Sequence, residues 1–217
     1  MRGGVSMKKI WILFLVLILL SLIGIAILLW RPSTIAWGFA REVSPEEAAL
    51  RKKVTETAES WLNANQIDGS HKPIIDIYNS HEPLAVNYKV TYTDQWCATF
   101  GSTVAIQCGL TGIIPTECGC QRQIERFQTI QAWQEDDTYI PLPGDYIFYS
   151  MANPNLGECT SWSDHVGIVV GTYRDRILVI EGNYSGYVKH RIIHIDDKHI
   201  RGYATPNYGS VCEESTQ

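Results

Sequence analysis

The sequence has no cluster of lysine and arginine from which a basic stripe could form, and its 18 Lys and Arg are outnumbered by 23 Asp and Glu, for a net charge of −5. A phosphate backbone is gripped by clustered cations, so nucleic acid is excluded as a partner. An anionic cell wall would gain no electrostatic help from this surface either. Charge of either sign is scarce, at 19% against 45% hydrophobic residues, a balance that builds a packed core and argues against general disorder. There is no internal repeat and no low-complexity segment, so the 217 residues make one ordinary domain plus an extra segment. Paired metal-ligand spacings are missing too. Cys118-Gly-Cys120 has no second Cys or His pair at zinc-like spacing. His190 and His194, on one strand face, would stand about 13 Å apart, too far for one ion. No cofactor or metal is expected.

Charge is absent altogether from Ile10 to Trp30, a run of 21 residues. At about 1.5 Å per residue a helix of that length spans the roughly 30 Å hydrocarbon layer. Trp11 and Trp30 stand at its ends, where interfacial aromatics belong. Arg2, Lys8 and Lys9 precede it, which keeps the N-terminus cytoplasmic and sends the rest of the chain outward. A cleaved signal peptide has a shorter apolar run, of about 7–15 residues, so a retained signal anchor is the reading. All six cysteines (97, 108, 118, 120, 159 and 212) fall on the outward side. Cysteines there normally pair, so with Cys97 reserved for chemistry at least one disulfide is expected among Cys108, Cys118, Cys120, Cys159 and Cys212.

Beyond the anchor, Ser44-Pro-Glu-Glu47 starts a helix as a capping box, expected to run to about Asn65. Pro73 to Tyr78 is a second, short helix, and Gln121 to Gln134 a further one. Strands follow from Tyr146: Tyr146–Tyr149, Val166–Val170, Ile177–Ile180, Val188–Ile195 and a closing Gly202–Ala204. Helices first and an antiparallel meander after them make an α+β pattern.

The stretch that organises the chain is Thr93 to Phe100. Asp94 has the chemistry of an N-cap, and Trp96, Phe100, Val104 and Cys108 then recur every four residues up to Gly109. Cys97 therefore falls in the first turn of a buried helix, where the positive end of the helix dipole favours a thiolate. Alone, such a Cys reads as a small hydrophobe. Its company changes that. A cysteine hydrolase needs a base for the thiol proton and a third group to orient the base. His165 opens one strand, and Glu181 and Asn183 end the next. A short turn between antiparallel neighbours brings all three to one end of the sheet. Glu181 and Asn183, two apart, share a face if the strand holds that far. Tyr92 either packs or donates to an oxyanion.

Trp96-Cys97-Ala-Thr-Phe100, Pro143-Gly-Asp145, Asp164-His-Val-Gly-Ile168, Glu181-Gly-Asn183 and Gly202-Tyr-Ala204 resemble, in order and spacing, the successive motifs of a CHAP domain. That family of cysteine amidases and peptidases is related to the NlpC/P60 group and has a papain-like fold. The resemblance covers residues 70–208. It implies cleavage of peptidoglycan amide bonds, with Cys97 as nucleophile, His165 as base and Glu181 or Asn183 orienting the imidazole. The calcium loop of some members is not carried over, because Asn87 to Asp94 holds a single Asp. The expected organisation is a cytoplasmic N-terminus (1–9), a transmembrane anchor (10–30), a tether and helical segment (31–69), the catalytic domain (70–208) and a tail (209–217). An amidase acting on another amide conjugate, or an idle module that grips the wall or a partner, are the rival readings.

Overall fold

A computed structural model describes residues 11, 16, 37–136, 138–152 and 162–214. The chain divides into two units, Met1–Ala36 and Trp37–Gln217. In the first, only Trp11 and Val16 are described, both helical. Apart from those two residues, the expected membrane span, 10–30, lies outside the described residues. Among those described, no helix is long and apolar enough to cross a membrane.

The second unit is α+β. Its elements are α1 (Pro45–Glu59), α2 (Lys72–Asn79), a short 3-10 turn (Ala85–Asn87), α3 (Cys97–Cys108), α4 (Cys120–Thr129), β1 (Trp133–Gln134), β2 (Tyr146–Tyr149), β3 (His165–Tyr173), β4 (Arg176–Tyr184), β5 (Tyr187–His194), β6 (Ile200–Ala204) and α5 (Tyr208–Glu214). The six strands form one antiparallel sheet in the order β1-β6-β2-β3-β4-β5. Helices and one sheet face enclose the larger core. A smaller cluster of Ile147, Tyr149, Val169, Ile177, Val179, Ile193 and Tyr203 packs separately. All four residues of β2 are buried, which is why its sequence reads as an unbroken apolar run rather than an alternation.

Helix α3 is the hub. Trp96, Phe100, Val104 and Cys108 are buried as their spacing predicts, and Gly109 ends the helix at φ 69°. The expected Asp94 cap is not made. The helix begins at Cys97 with Trp96 as N-cap. The Asp94 carboxylate instead accepts from the Thr91 N–H at 2.7 Å and the Tyr88 hydroxyl at 2.8 Å. It closes the loop before the helix, since an aspartate bonds local N–H groups wherever a turn presents them. Small residues let the other elements approach α3: a side chain at Gly101 would stand 2.7 Å from the Tyr146 ring, whose hydroxyl donates to the Gly101 carbonyl.

Helix α1 begins as predicted, with the Glu47 N–H on Ser44 Oγ, but ends at Glu59 rather than near Asn65. Glu47 does not complete the capping box, because its carboxylate takes the Arg51 Nε–H at 2.7 Å. Arg51 is buried, pairs with the fully buried Asp145 at 2.8 Å, and lies over the Tyr208 ring. The Pro143-Gly144-Asp145 corner is thereby tied to α1, and Tyr208 donates to the Gly144 carbonyl at 2.6 Å. The segment that the sequence places ahead of the domain is therefore built into the same compact unit from Trp37 onward. Helix α4, at Cys120–Thr129, is shorter than expected; Trp133 and Gln134 leave it to pair with Ala204 and Tyr203 as β1.

Candidate active site

Cys97 is the first residue of α3 and His165 the first residue of β3. Two glycines determine how they meet. A β-carbon on Gly182 would stand 2.4 Å from Phe100 Cβ. The first turn of α3 thus rests directly on the β4 backbone, which sets Cys97 over that end of the sheet. A β-carbon on Gly167 would stand 2.7 Å from Glu181 Cγ. Ile168 pairs with Ile180, so the same register sets Gly167 opposite Glu181 and makes His165 the diagonal neighbour on that face. With no side chain at Gly167, Glu181 crosses the gap. Its Oε2 lies 3.6 Å from His165 Nε2.

That distance makes an ion-pair contact rather than a hydrogen bond, and neither atom has a hydrogen-bond partner among the described residues. The other carboxylate oxygen of Glu181 takes both Nε–H (3.2 Å) and Nη2–H (2.9 Å) of Arg191. The Arg191 guanidinium in turn lies over the rings of Tyr149 (4.7 Å) and Tyr184 (4.9 Å). The His165 ring stacks on Tyr149 at 5.8 Å and tilts against Tyr184 at 5.8 Å. Just before it, Asp164 accepts from the Met151 and Ala152 N–H groups, both at 2.8 Å, and Ser163 donates to the Tyr149 carbonyl. The imidazole is packed against two tyrosine rings and held at its point of entry.

The electrostatics follow from that enclosure. Burial disfavours charge on His165, but interaction with the neighbouring Cys97 and Glu181, whose negative charges favour the imidazolium, outweighs it, and its pKa is pushed up to about 9. The Cys97 thiol is held well below the usual thiol range. Contact with Cys120 contributes most, His165 adds to it, and burial opposes. Burial raises the Glu181 pKa, but His165 and Arg191 more than reverse this and keep the carboxylate ionised. Together these shifts favour a thiolate–imidazolium pair backed by a carboxylate.

Asn183 does not join it. The pairing of β3 with β4 reaches only to Ile168 and Ile180, and the β4–β5 register shifts between Glu181 and Tyr184. Asn183 takes a left-handed conformation, φ 58°, and its Nδ2–H donates to Gln95 Oε1 at 2.7 Å. The strand does not hold as far as a shared face requires, so of the two candidates Glu181 faces His165. Asn183 and Gln95 instead tie the end of β4 to the loop before α3. An open groove of about 410 Å³ adjoins Gln95, lined also by Tyr88, Asp94, Cys118 and Arg122. Tyr92, a candidate oxyanion donor, commits its hydroxyl to Asp76 at 2.7 Å. Among the described residues no three His, Cys, Asp or Glu side chains converge as metal ligands.

Sequence reading missed Arg191, Tyr149 and above all Cys120, the first residue of α4, whose Sγ lies 3.4 Å from Cys97 Sγ. The only signal for Cys120 was its position at a helix start after Gly119. The expected disulfide is not found among the described residues: Cys108, Cys118 and Cys120 carry free thiols, and Cys159 lies outside them. Cys108 turns its thiol to Thr57 of α1, and Cys118 accepts from Arg122. These environments point the thiols to different neighbours, leaving Cys97 and Cys120 as the close pair.

No family model and no curated protein sequence matches the chain. Among solved structures, it aligns with the crystal structure of Ly7917 at 12% identity and a TM-score of 0.42, over 73% of this chain and 62% of that one. The crystal structure of Ly7917 with the hydrolyzing product of MDP aligns at 14% identity and a TM-score of 0.41, over 72% and 62%. The chain thus spans less than two thirds of the length of either, and likeness at this level establishes neither fold family nor activity.

Proposed function

We propose that this chain is a cysteine hydrolase of papain-like, CHAP-type architecture that cleaves amide bonds of peptidoglycan, held at the outer face of the cell membrane by residues 10–30. The observation that carries the chemistry is the convergence of Cys97, His165 and Glu181, from three different elements, with a depressed thiol pKa and a raised imidazole pKa. The peptidoglycan substrate and the anchor rest on the motif resemblance and on the uncharged run.

The Cys97 thiol gives its proton to His165, and the thiolate attacks the carbonyl carbon of the amide. Negative charge passes to the carbonyl oxygen, and in this mechanism the backbone N–H of Cys97, at the start of α3, donates to it. Collapse of the tetrahedral intermediate breaks the C–N bond, and His165 returns the proton to the leaving amine. A water molecule, deprotonated by His165, then hydrolyses the thioester and restores the thiol. Glu181 keeps the imidazole oriented and charged, and Arg191 keeps Glu181 ionised. The bond cut is either N-acetylmuramoyl–L-alanine or a peptide bond of the stem or cross-bridge.

The test is digestion of purified sacculi by the full-length chain, with fragments identified by mass spectrometry. Cys97→Ser and His165→Ala should each lower turnover by about 10²–10⁴-fold or more while the protein stays folded. Wild-type-like fragment release by a folded Cys97→Ser variant would end the cysteine-hydrolase reading. The masses also say which bond is cut.

A further inference from the structure

A nucleophilic cysteine needs one thiol, and this site holds two. Cys97 Sγ and Cys120 Sγ are 3.4 Å apart, and the residues are only 6% and 7% exposed. Each opens a helix, α3 and α4, so two positive helix ends converge on the pair. Two buried sulfurs in contact cannot both ionise, because like charges at that distance repel strongly in a dry site. One must keep its proton, and a retained S–H at this distance has the other sulfur as acceptor.

We propose that Cys120 is a further catalytic residue: it stays protonated and donates its S–H to the Cys97 thiolate. This rests on the cysteine-hydrolase reading. Which sulfur ionises is decided by the neighbours. His165, which takes the Cys97 proton, interacts with Cys97, whereas Cys120 feels the negative charge of Asp164. Contact with Cys97 and burial hold the Cys120 thiol well above its ordinary range. The other ionisable groups nearby are already matched. Glu181 faces His165 and Arg191, and Glu117 and Cys118 both take Arg122. In the resting site the Cys97 proton resides on His165 and Cys120 keeps its own. When the thiolate becomes a neutral thioester the S–H···S contact loses its charge, and it re-forms when hydrolysis releases the thiol.

The experiment measures thiolate formation independently of turnover. The fully reduced full-length chain is alkylated with iodoacetamide across a pH series, and fragment-ion mass spectrometry localises the label to Cys97. In Cys120→Ala the midpoint for Cys97 should rise by about one to two pH units, the worth of a hydrogen bond to a charged group. Cys120→Ser, which keeps a donor, should recover part of that. Cys120→Val fills the space without a donor and substitutes for the alanine variant if that one does not fold. An unchanged midpoint in the folded apolar variant overturns the proposal, as does a serine variant displaced as far as the apolar one, because bulk alone would then explain the effect. Sacculus digestion by the same wild-type protein keeps the two readings apart. Absent cleavage counts against the hydrolase, whereas cleavage with an unmoved midpoint counts against Cys120 alone.

Discussion

Replacing Glu181 by glutamine tests the charge arrangement directly. The carboxylate is fully buried, and its Oε2 is 3.6 Å from His165 Nε2. At an effective dielectric of about 20, two unit charges at that separation attract by roughly 4.6 kcal/mol, or about three pH units of imidazole titration. Glutamine leaves an acceptor in place but removes the charge, so part of the attraction survives. The expected result is a His165 titration midpoint lowered from about 9 toward its ordinary 6.5, a fall of about two pH units. The sign follows from the anion: removing it destabilises the imidazolium, so the proton leaves at lower pH. The thiolate–imidazolium pair lasts only while His165 holds its proton, so the alkaline limb of kcat/KM should move down by the same amount. Two measurements check this: the His165 ring resonance by NMR across the neutral and alkaline range, and the pH profile of sacculus digestion. Circular dichroism must show the variant folded, because Arg191 loses its counter-ion. A folded variant whose midpoint and alkaline limb both stay near the wild-type position would refute the assignment of Glu181 as the charge behind His165.

Gly167→Ala would place a β-carbon 2.7 Å from Glu181 Cγ and 2.5 Å from Val179 Cγ1. Overpacking of this kind costs about 1–3 kcal/mol, and moving Glu181 off His165 should lower kcat/KM by at least about tenfold; denaturant titration and digestion kinetics read the two effects, and unaltered kinetics would show that Glu181 does not need this passage. Arg51→Met removes the cationic partner of a fully buried Asp145, leaving only neutral donors from Tyr139 and Leu142, and stranding that charge should cost about 3–5 kcal/mol. For a domain of this size that is a drop in Tm of roughly 10 °C, and a loss below about 1 kcal/mol would mean that Asp145 finds another partner or becomes protonated.

Periodicity and element ends were legible in the sequence. A helix buried on the Trp96, Phe100, Val104 and Cys108 stripe follows from the four-residue spacing, and its stop from Gly109. Five of the six strands follow from apolar runs between turn residues. These are local properties, set by side chains within a few positions of one another. The placing of Cys97 and His165 at the starts of elements belongs with them, as does the expectation that a short turn carries Glu181 back to the same end.

Contacts set by register and by the approach of separate elements were decided only in three dimensions. Asn183 and Glu181 look equivalent along the chain, and a two-residue period would put them on one face; a left-handed turn at Asn183 and a shift in pairing separate them. Asp94 has the chemistry of a cap, but the turn at Thr91 bonds it first. Arg191 reaches Glu181 because β5 lies beside β4, and Cys120 meets Cys97 because two helices, 23 residues apart in their starting positions, begin at the same point in space. None of these is encoded in spacing. Each depends on which face a strand turns inward and how closely two backbones approach, and at Gly167 and Gly182 that approach is possible only because a side chain is missing.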